Sequence, residues 1–198
     1  MKMKATLIVI TGPSGVGKQS VIKTLRQMMD KEGISHTFSV SSTTRQPRPG
    51  EVGGVDYHFR TLRDFEEMVS WQQFLEHAKV HDNYYGTEIA PIQQSLDCGE
   101  SVILDIDVQG ATTVRQVARD RNMPLIDLFI APPFPEIEIL RRRLQGRGTD
   151  PEHVIEKRLR NATGELARKD EFTHVVINDE LQGAAEQCLR HVKACLFA

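Results

Sequence analysis

The sequence has little cysteine and no long apolar run. Its three cysteines, Cys98, Cys188 and Cys195, show no CxxC spacing. This argues against a disulfide scaffold and fits a reducing compartment, so we expect a cytoplasmic protein. Apolar runs such as residues 7–10 are far shorter than the about 20 residues that a membrane-spanning helix needs. The run near the N-terminus is also too short for an export signal, so we expect no membrane partner.

The sequence also lacks a strong excess of charge of either sign. The formal net charge is −2, which argues against a nucleic-acid partner or an acidic membrane surface. Hydrophobic residues make up 39% and charged residues 26% of the chain, which suffices for a folded core. A length of 198 residues favours one core with an added lobe or lid. Any site for an anion must therefore be built locally.

Apolar strand-like runs alternate with segments of helical periodicity along most of the chain. The predicted strands cover residues 5–11, 101–107, 125–131 and 173–178, and the predicted helices cover 20–29, 109–118, 135–144, 151–167 and 181–196. Such alternation predicts an α/β fold with a parallel sheet and right-handed crossovers. The sheet should be flanked by helices.

Residues 36–99 interrupt this alternation. They hold short strand-like pieces at 37–41, 57–59 and 74–80 and a turn-rich stretch at 47–50. We predict a mixed α/β lobe over residues 36–99, inserted into a core formed by residues 1–35 and 100–198. Whether the protein acts as a monomer or a homodimer is left open by the sequence.

A glycine-rich loop follows the first predicted strand. It consists of Gly12-Pro13-Ser14-Gly15-Val16-Gly17-Lys18, with Gln19 and Ser20 after it. The GxxxxGK spacing between a strand and a helix predicts a phosphate loop, whose backbone N–H groups and helix N-terminus bind phosphate. Lys18 would reach the β and γ phosphates of ATP.

One position departs from the usual phosphate-loop pattern. The Ser or Thr whose hydroxyl meets Mg²⁺ is replaced by Gln19, and Ser20 follows one residue later. Either Ser20 and waters hold the metal, or nucleotide oxygens and water hold most of it, as Mg²⁺ tolerates. We hypothesise that Gln19 weakens the use of Mg²⁺ without abolishing activity.

Two aspartates end the second predicted core strand. Asp105 and Asp107 are two residues apart, so a strand would place both carboxylates on one side, at the sheet edge where ligands bind. Asp105 is predicted to contact Mg²⁺ through water. An alternative is that one of the two caps the following helix.

The predicted lobe carries two arginines three residues apart. Arg45 and Arg48 are flanked by prolines, and this arrangement suits bidentate contacts to a single phosphate. Tyr57 and the tyrosines of residues 84–85 add hydroxyl donors. The alternative is that the two arginines belong to a solvated surface.

With these motifs the chain resembles the guanylate kinases, over nearly its whole length. The most specific stretches are Ser-Thr-Thr-Arg-x-Pro-Arg-x-Gly-Glu at 42–51, Asn-Tyr-Tyr-Gly at 83–86, Ile-Leu-Asp-Ile-Asp-x-Gln-Gly at 103–110 and Gly-Arg-Gly-Thr at 146–149. The resemblance implies a P-loop NTPase-type core with a helical lid at about 138–160. It also implies γ-phosphate transfer from ATP to GMP with Mg²⁺, with dGMP as a second expected acceptor. It implies that the GMP phosphate is held by Ser41, Arg45, Arg48, Tyr57 and Tyr85. It also implies that Glu76, Thr87 and Asp107 bind guanine, whose N1–H and amino group suit carboxylate acceptors.

The region of the expected lid is locally basic. Residues 141–160 hold seven basic and three acidic side chains, a local charge of +4. The resemblance assigns Arg143, Arg147 and Arg158 to the ATP phosphates and the transferring group, and it places Asn178 near the adenine. A solvated helix face is the alternative for the other basic residues of this region.

Two other functions compete with guanylate kinase activity. One is a kinase for a different phosphorylated small molecule, such as a sugar phosphate, which would need no guanine-binding residues. The other is a non-catalytic guanylate-kinase-like module that binds phosphopeptides. Retention of Lys18 and of the lid arginines argues against the second alternative.

Overall fold

The computed structural model describes residues 4–80, 82–146, 148 and 150–197. Strands and helices follow one another as β1 (Leu7–Thr11), α1 (Lys18–Lys31), β2 (His36–Phe38), β3 (Ser42–Thr43), β4 (His58–Phe59), α2 (Leu62–Ser70), β5 (Phe74–Val80), β6 (Asn83–Glu88), α3 (Ile89–Asp97), β7 (Ser101–Asp105), α4 (Val108–Asp120), β8 (Leu125–Ala131), α5 (Glu136–Gly146), α6 (Glu152–Leu166), β9 (His174–Ile177) and α7 (Leu181–Leu196).

The core is a parallel sheet of five strands in the order β2-β7-β1-β8-β9. Its central strand β1 is fully buried, because α1 and α4 both pack against it, as the continuous apolar run of residues 7–10 requires. The α/β class and the parallel sheet predicted from the sequence are confirmed. Within the described residues, no helix is long and apolar enough to cross a membrane.

A second sheet forms the predicted lobe. Its strands lie in the order β4-β3-β6-β5, with β3 parallel to β4 and antiparallel to β6. Helix α2 covers this sheet through Phe65, whose ring stacks on Phe74 with centroids 4.5 Å apart. The lobe therefore has a small aromatic core of its own.

The first strand predicted for the lobe belongs instead to the core sheet. Strand β2, His36–Phe38, pairs in parallel with β7 at the edge of the five-stranded sheet. The lobe sheet is thus limited to residues 42–88, and the boundary predicted at residue 36 lies inside the core sheet. Because an edge strand is only half buried, its three residues carry no apolar run that would have marked it as core.

Gly164 is an unusual residue for its position in the interior of α6. A Cβ added there would meet no atom within 4 Å, and its φ is not in the left-handed region. We expect Gly164→Ala to raise the free energy of unfolding by about 0.5–1 kcal/mol, because alanine restricts the unfolded chain and favours helix. Urea and thermal unfolding would measure this gain, which corresponds to a rise in Tm of about 1–4 °C.

Gly33 offers a matched control for this substitution. It also has open space around its Cβ position, but its φ is +68°. Gly33→Ala should therefore lower stability where Gly164→Ala raises it. A loss of stability in Gly164→Ala would contradict the expectation.

Candidate active site

The phosphate loop lies between the end of β1 and the start of α1. A Cβ at Gly12 would come within 2.2 Å of the Ile130 carbonyl oxygen, so only glycine fits between the loop and β8. Gly17, with a φ of +96°, is the N-cap of α1 and provides no side-chain cap. Within the part of the chain that the structure describes, the first N–H groups of α1 therefore receive no side-chain cap and can bind an anion.

The three residues from the loop lysine onward, Lys18, Gln19 and Ser20, differ in burial and in whether they line a cavity. Lys18 is partly buried, and its Nζ donates to the Gly12 carbonyl at 2.8 Å. Gln19 is exposed and lines a cavity of about 620 Å³ beside α1. Ser20, the predicted substitute for the missing hydroxyl, is exposed and is not among the residues lining this cavity or its larger neighbour.

The larger cavity, of about 850 Å³, joins the phosphate loop to the lobe. Its walls come from the loop, from the lobe sheet, from the segment after β7 and from α6. The lining includes Ser14, Lys18, Ser41, Tyr57, Glu76, Tyr85, Asp105, Asp107, Glu165 and Arg168. The predicted donor-phosphate residues and the predicted acceptor residues thus open into one space.

Glu76 and Thr87 form a buried polar pair at the lobe end of this cavity. They are register partners on β5 and β6, and Thr87 Oγ1 donates to Glu76 Oε1 at 2.6 Å. Burial raises the pKa of the Glu76 carboxyl and Asp107 adds to the rise, while the Thr87 hydroxyl opposes it. A buried carboxylate with lone pairs facing a cavity is suited to a ligand that presents N–H donors.

Asp107 has two roles in the structure. Its Oδ1 accepts from the Gly110 N–H at 2.7 Å and caps α4, so the alternative of a helix cap is confirmed for this residue. Strand β7 ends at Asp105, yet both aspartates line the larger cavity, as the sequence predicted. A Cβ at Gly110 would lie 3.0 Å from Glu76 Oε2 and 3.3 Å from Asp107 Oδ1, so the two carboxylates approach each other there.

Asp105 is the best-placed side chain for a metal. Burial raises the pKa of its carboxyl, and the nearby Lys18 ammonium opposes the rise. Among the described residues no hydrogen bond to this carboxylate is recorded, which leaves its oxygens available to Mg²⁺ or to metal-bound water. The described residues contain no cluster of three or more His, Cys, Asp or Glu that could hold a metal by itself.

All five residues predicted to bind the acceptor phosphate line the smaller cavity. They are Ser41, Arg45, Arg48, Tyr57 and Tyr85. The Arg45 guanidinium donates to Glu51 Oε1 at 2.8 Å and to the Gln46 carbonyl at 2.7 Å, and it lies over the Tyr57 ring. Glu51 Oε2 also accepts from the Arg48 N–H at 2.7 Å.

Glu51 therefore organises the loop that carries both arginines. The bond from Arg45, together with the Arg48 N–H, holds the pKa of the Glu51 carboxyl below its usual range. Arg45 and Glu51 side chains are only 15% and 18% exposed, so this pair is not a solvated surface contact. The alternative of a solvated arginine pair does not apply to Arg45.

Arg143 and Arg158, the two predicted lid arginines that the structure describes, do not line either cavity. Arg143 Nη1 and Nη2 donate to the carbonyls of Val16 and Asn178. Arg158 pairs with Asp150 at 3.1 Å. Arg147 lies outside the described residues, so its predicted role is not addressed by the structure.

Helix α6 contributes residues that sequence reasoning missed. Asn161, Gly164 and Glu165 lie on α6 and line the larger cavity, together with Arg168 just beyond the end of the helix. Burial raises the pKa of Glu165, while Lys18 and the Ser14 N–H oppose the rise, and its Oε2 is buried without a partner among the described residues. Polar residues at helical spacing are typical of a solvent-exposed face, so the sequence pattern alone could not distinguish them.

The strand–loop–helix unit and the two adjoining cavities are those of a phosphate-loop protein with room for two ligands side by side. A family model described as guanylate kinase matches residues 4–196. The chain is 43% identical over 192 residues to the guanylate kinase of Chromohalobacter salexigens, covering 96% of this chain and 85% of that protein. It is 46% identical over 181 residues to the guanylate kinase of Gloeobacter violaceus, covering 91% and 83%.

The solved structures agree with this assignment. The crystal structure of guanylate kinase from Anaplasma phagocytophilum has a TM-score of 0.76 at 27% identity and covers 100% of this chain and 89% of its own. A gluconokinase from Sinorhizobium meliloti has a TM-score of 0.51 at 12% identity, covers 100% of this chain and 96% of its own, and shares the fold alone. The chain belongs to the guanylate kinase family.

Proposed function

We propose that the protein transfers the γ-phosphate of ATP to GMP, giving ADP and GDP. The observation that carries this proposal is the buried carboxylate of Glu76, which Thr87 supports from behind and which lines the same cavity as Lys18 of the phosphate loop. Guanine presents N1–H and an amino group to such a carboxylate, whereas adenine presents an acceptor at N1. The family of the chain and the guanylate kinase names of its relatives agree with the proposal.

The donor site would bind ATP through the loop of residues 12–18, with Gln19, Ser20 and Asn178 beside it. The acceptor site would hold the GMP phosphate between the arginines of residues 45–48 and the hydroxyls of Ser41, Tyr57 and Tyr85. Phosphoryl transfer needs mainly alignment and charge stabilisation, which Lys18, Arg45 and the lid arginines Arg143, Arg147 and Arg158 would supply. Closure of lobe and lid would exclude water from the transferring group.

Mg²⁺ is the cofactor that this chemistry implies. Asp105 fits a metal held through water, because its carboxylate is buried next to Lys18 with no competing donor among the described residues. Ser20 is the second predicted contact to the metal. Its side chain is exposed and lines neither cavity, so the structure favours Asp105 over Ser20. When bound, the metal would neutralise charge on the β and γ phosphates.

Gln19 should limit how well the protein uses this metal. We expect Gln19→Ser to lower the Mg²⁺ concentration needed for half-maximal turnover, because it restores a hydroxyl at the usual position. A Mg²⁺ titration of turnover at saturating nucleotides would measure the change, with Gln27→Ser, exposed further along α1, as control. Unchanged turnover and Mg²⁺ dependence would show that Gln19 has no such role.

The competing functions have less support. A kinase for a sugar phosphate would have no use for the buried Glu76 carboxylate that lines the cavity and accepts from Thr87. A phosphopeptide-binding module would not need Lys18 or the glycine loop, and both are present. Among the predicted acceptor residues, none is assigned to the ribose, so we include dGMP as an acceptor. We also propose a cytoplasmic location, which the low cysteine content supports.

A coupled assay of ADP release tests the proposal directly. ATP and Mg²⁺ would be supplied with GMP, dGMP, AMP, CMP or UMP in turn. We expect saturable turnover with the guanine nucleotides only. Binding of GMP without turnover would favour the non-catalytic module, and absence of both would favour a different phosphorylated acceptor.

A further inference from the structure

Arg143 on α5 and Asn178 after β9 converge on one carbonyl of the phosphate loop. Arg143 Nη1 donates to the Val16 oxygen at 3.0 Å, and Asn178 Nδ2 donates to the same oxygen at 2.7 Å. Arg143 Nη2 donates to the Asn178 backbone carbonyl at 2.8 Å. Both terminal nitrogens of this guanidinium are therefore bonded to backbone oxygens.

Asn178 is itself fixed in place. Its backbone N–H donates to the Ala131 carbonyl at the end of β8 at 2.7 Å, and the residue is 6% exposed. A Cβ at Gly17 would come within 2.8 Å of Asn178 Nδ2, so the amide packs directly on the loop. The Val16 carbonyl is thereby tied to α5, to β8 and to the residue after β9.

The bonded carbonyl belongs to the same peptide unit as the Gly17 N–H. A carbonyl that accepts from a charged donor polarises its peptide unit and strengthens the N–H of that unit as a donor. Gly17 is the N-cap of α1, and the hydrogen bonds recorded among the described residues give its N–H no acceptor. An N–H at this place is suited to a donor phosphate.

We propose that Arg143 and Asn178 are positioning residues, which act on the donor phosphates through the Val16 carbonyl. They hold the loop in its phosphate-binding conformation and polarise the Gly17 amide. This role differs from the direct contacts with ATP that the family resemblance implies for both residues. It rests on the proposed function only in that the loop binds a nucleotide.

ADP binding to the full-length protein, measured by calorimetry, tests the proposal. The variants are Arg143→Ala, Asn178→Ala and the double substitution, with Arg142→Ala as control because it is exposed on the same helix. We expect each single substitution to raise the ADP Kd about tenfold, the effect of losing one charged or buried hydrogen bond. The double substitution should raise it by less than the product of the two, because both act on one carbonyl.

Two further readouts separate positioning from direct contact. In protein without added nucleotide, the Gly17 amide resonance should shift in both single variants but not in Arg142→Ala. Arg143→Lys keeps the positive charge but has one donor nitrogen in place of two, so its ADP Kd should lie between those of the wild type and Arg143→Ala. This variant still tests the proposal if Arg143→Ala does not fold.

The opposite results would overturn the proposal. Effects that multiply in the double variant would indicate independent contacts with ADP. An unchanged ADP Kd with reduced turnover in Arg143→Ala would place Arg143 on the transferring group instead. ADP binding and the shift of the Gly17 amide resonance do not involve the acceptor, so failure of the wild type to phosphorylate GMP would leave these two measurements intact.

Discussion

Replacing Lys18 with alanine is expected to lower turnover by about 10²–10³-fold, the loss typical of one preorganised donor to transition-state charge. Lys18 lies at the start of α1, where its ammonium already reaches the phosphate loop through the Gly12 carbonyl. Its ammonium would stabilise the negative charge that develops on the transferring phosphoryl group. Steady-state turnover with saturating ATP and GMP measures the effect.

A second variant and a control sharpen this test. Lys18→Arg keeps the positive charge but replaces a compact ammonium with a planar guanidinium, so turnover should recover only in part. Lys31→Ala, exposed in the last turn of the same helix, should leave turnover unchanged. A loss under threefold in Lys18→Ala would remove Lys18 from the catalytic role.

The core strands and the phosphate loop could be predicted because each has a strong local pattern. Strands β1 and β8 are buried along nearly their whole length, so β1 appears in the sequence as a continuous apolar run and β8 as an apolar run interrupted only at Asp127. The loop has fixed spacing between glycines and lysine, and the Ile130 carbonyl shows why position 12 must be glycine. The strand-like piece predicted at 37–41 was assigned to the lobe instead of the core sheet, because an edge strand of three half-buried residues carries no such pattern.

The site itself was only partly predictable. The spacing of Asp105 and Asp107 predicted that both carboxylates lie on one side, and both line the same cavity. The spacing did not predict which of the two caps α4. The hydrogen bond from the Arg143 guanidinium to the Val16 carbonyl depends on how α5 packs against a loop 127 residues away in the chain. No local sequence pattern predicts this contact. Glu165 looks like an ordinary polar residue of an amphipathic helix, and only its burial beside Lys18 distinguishes it.

The second large effect concerns the acceptor site. Arg45→Ala should raise the GMP KM by about 10²-fold and leave the ATP KM within about threefold, because a bidentate contact to phosphate is lost. The substitution also leaves the partly buried Glu51 carboxylate without its cation beside the acceptor phosphate. The GMP phosphate thus loses the attraction of Arg45 and meets the repulsion of Glu51, and both effects raise the GMP KM.

A double variant separates these two causes. Arg45→Ala combined with Glu51→Gln removes the unpaired negative charge, so it should bind GMP more tightly than Arg45→Ala alone. Arg63→Ala is the matched control, because Arg63 lies on the lobe helix α2 with its side chain 87% exposed and paired only with Glu67 among the described residues. Its KM values should not change. A larger rise in the ATP KM than in the GMP KM for Arg45→Ala would mean that this arginine serves the donor nucleotide, and the acceptor phosphate would then have to bind elsewhere in the lobe.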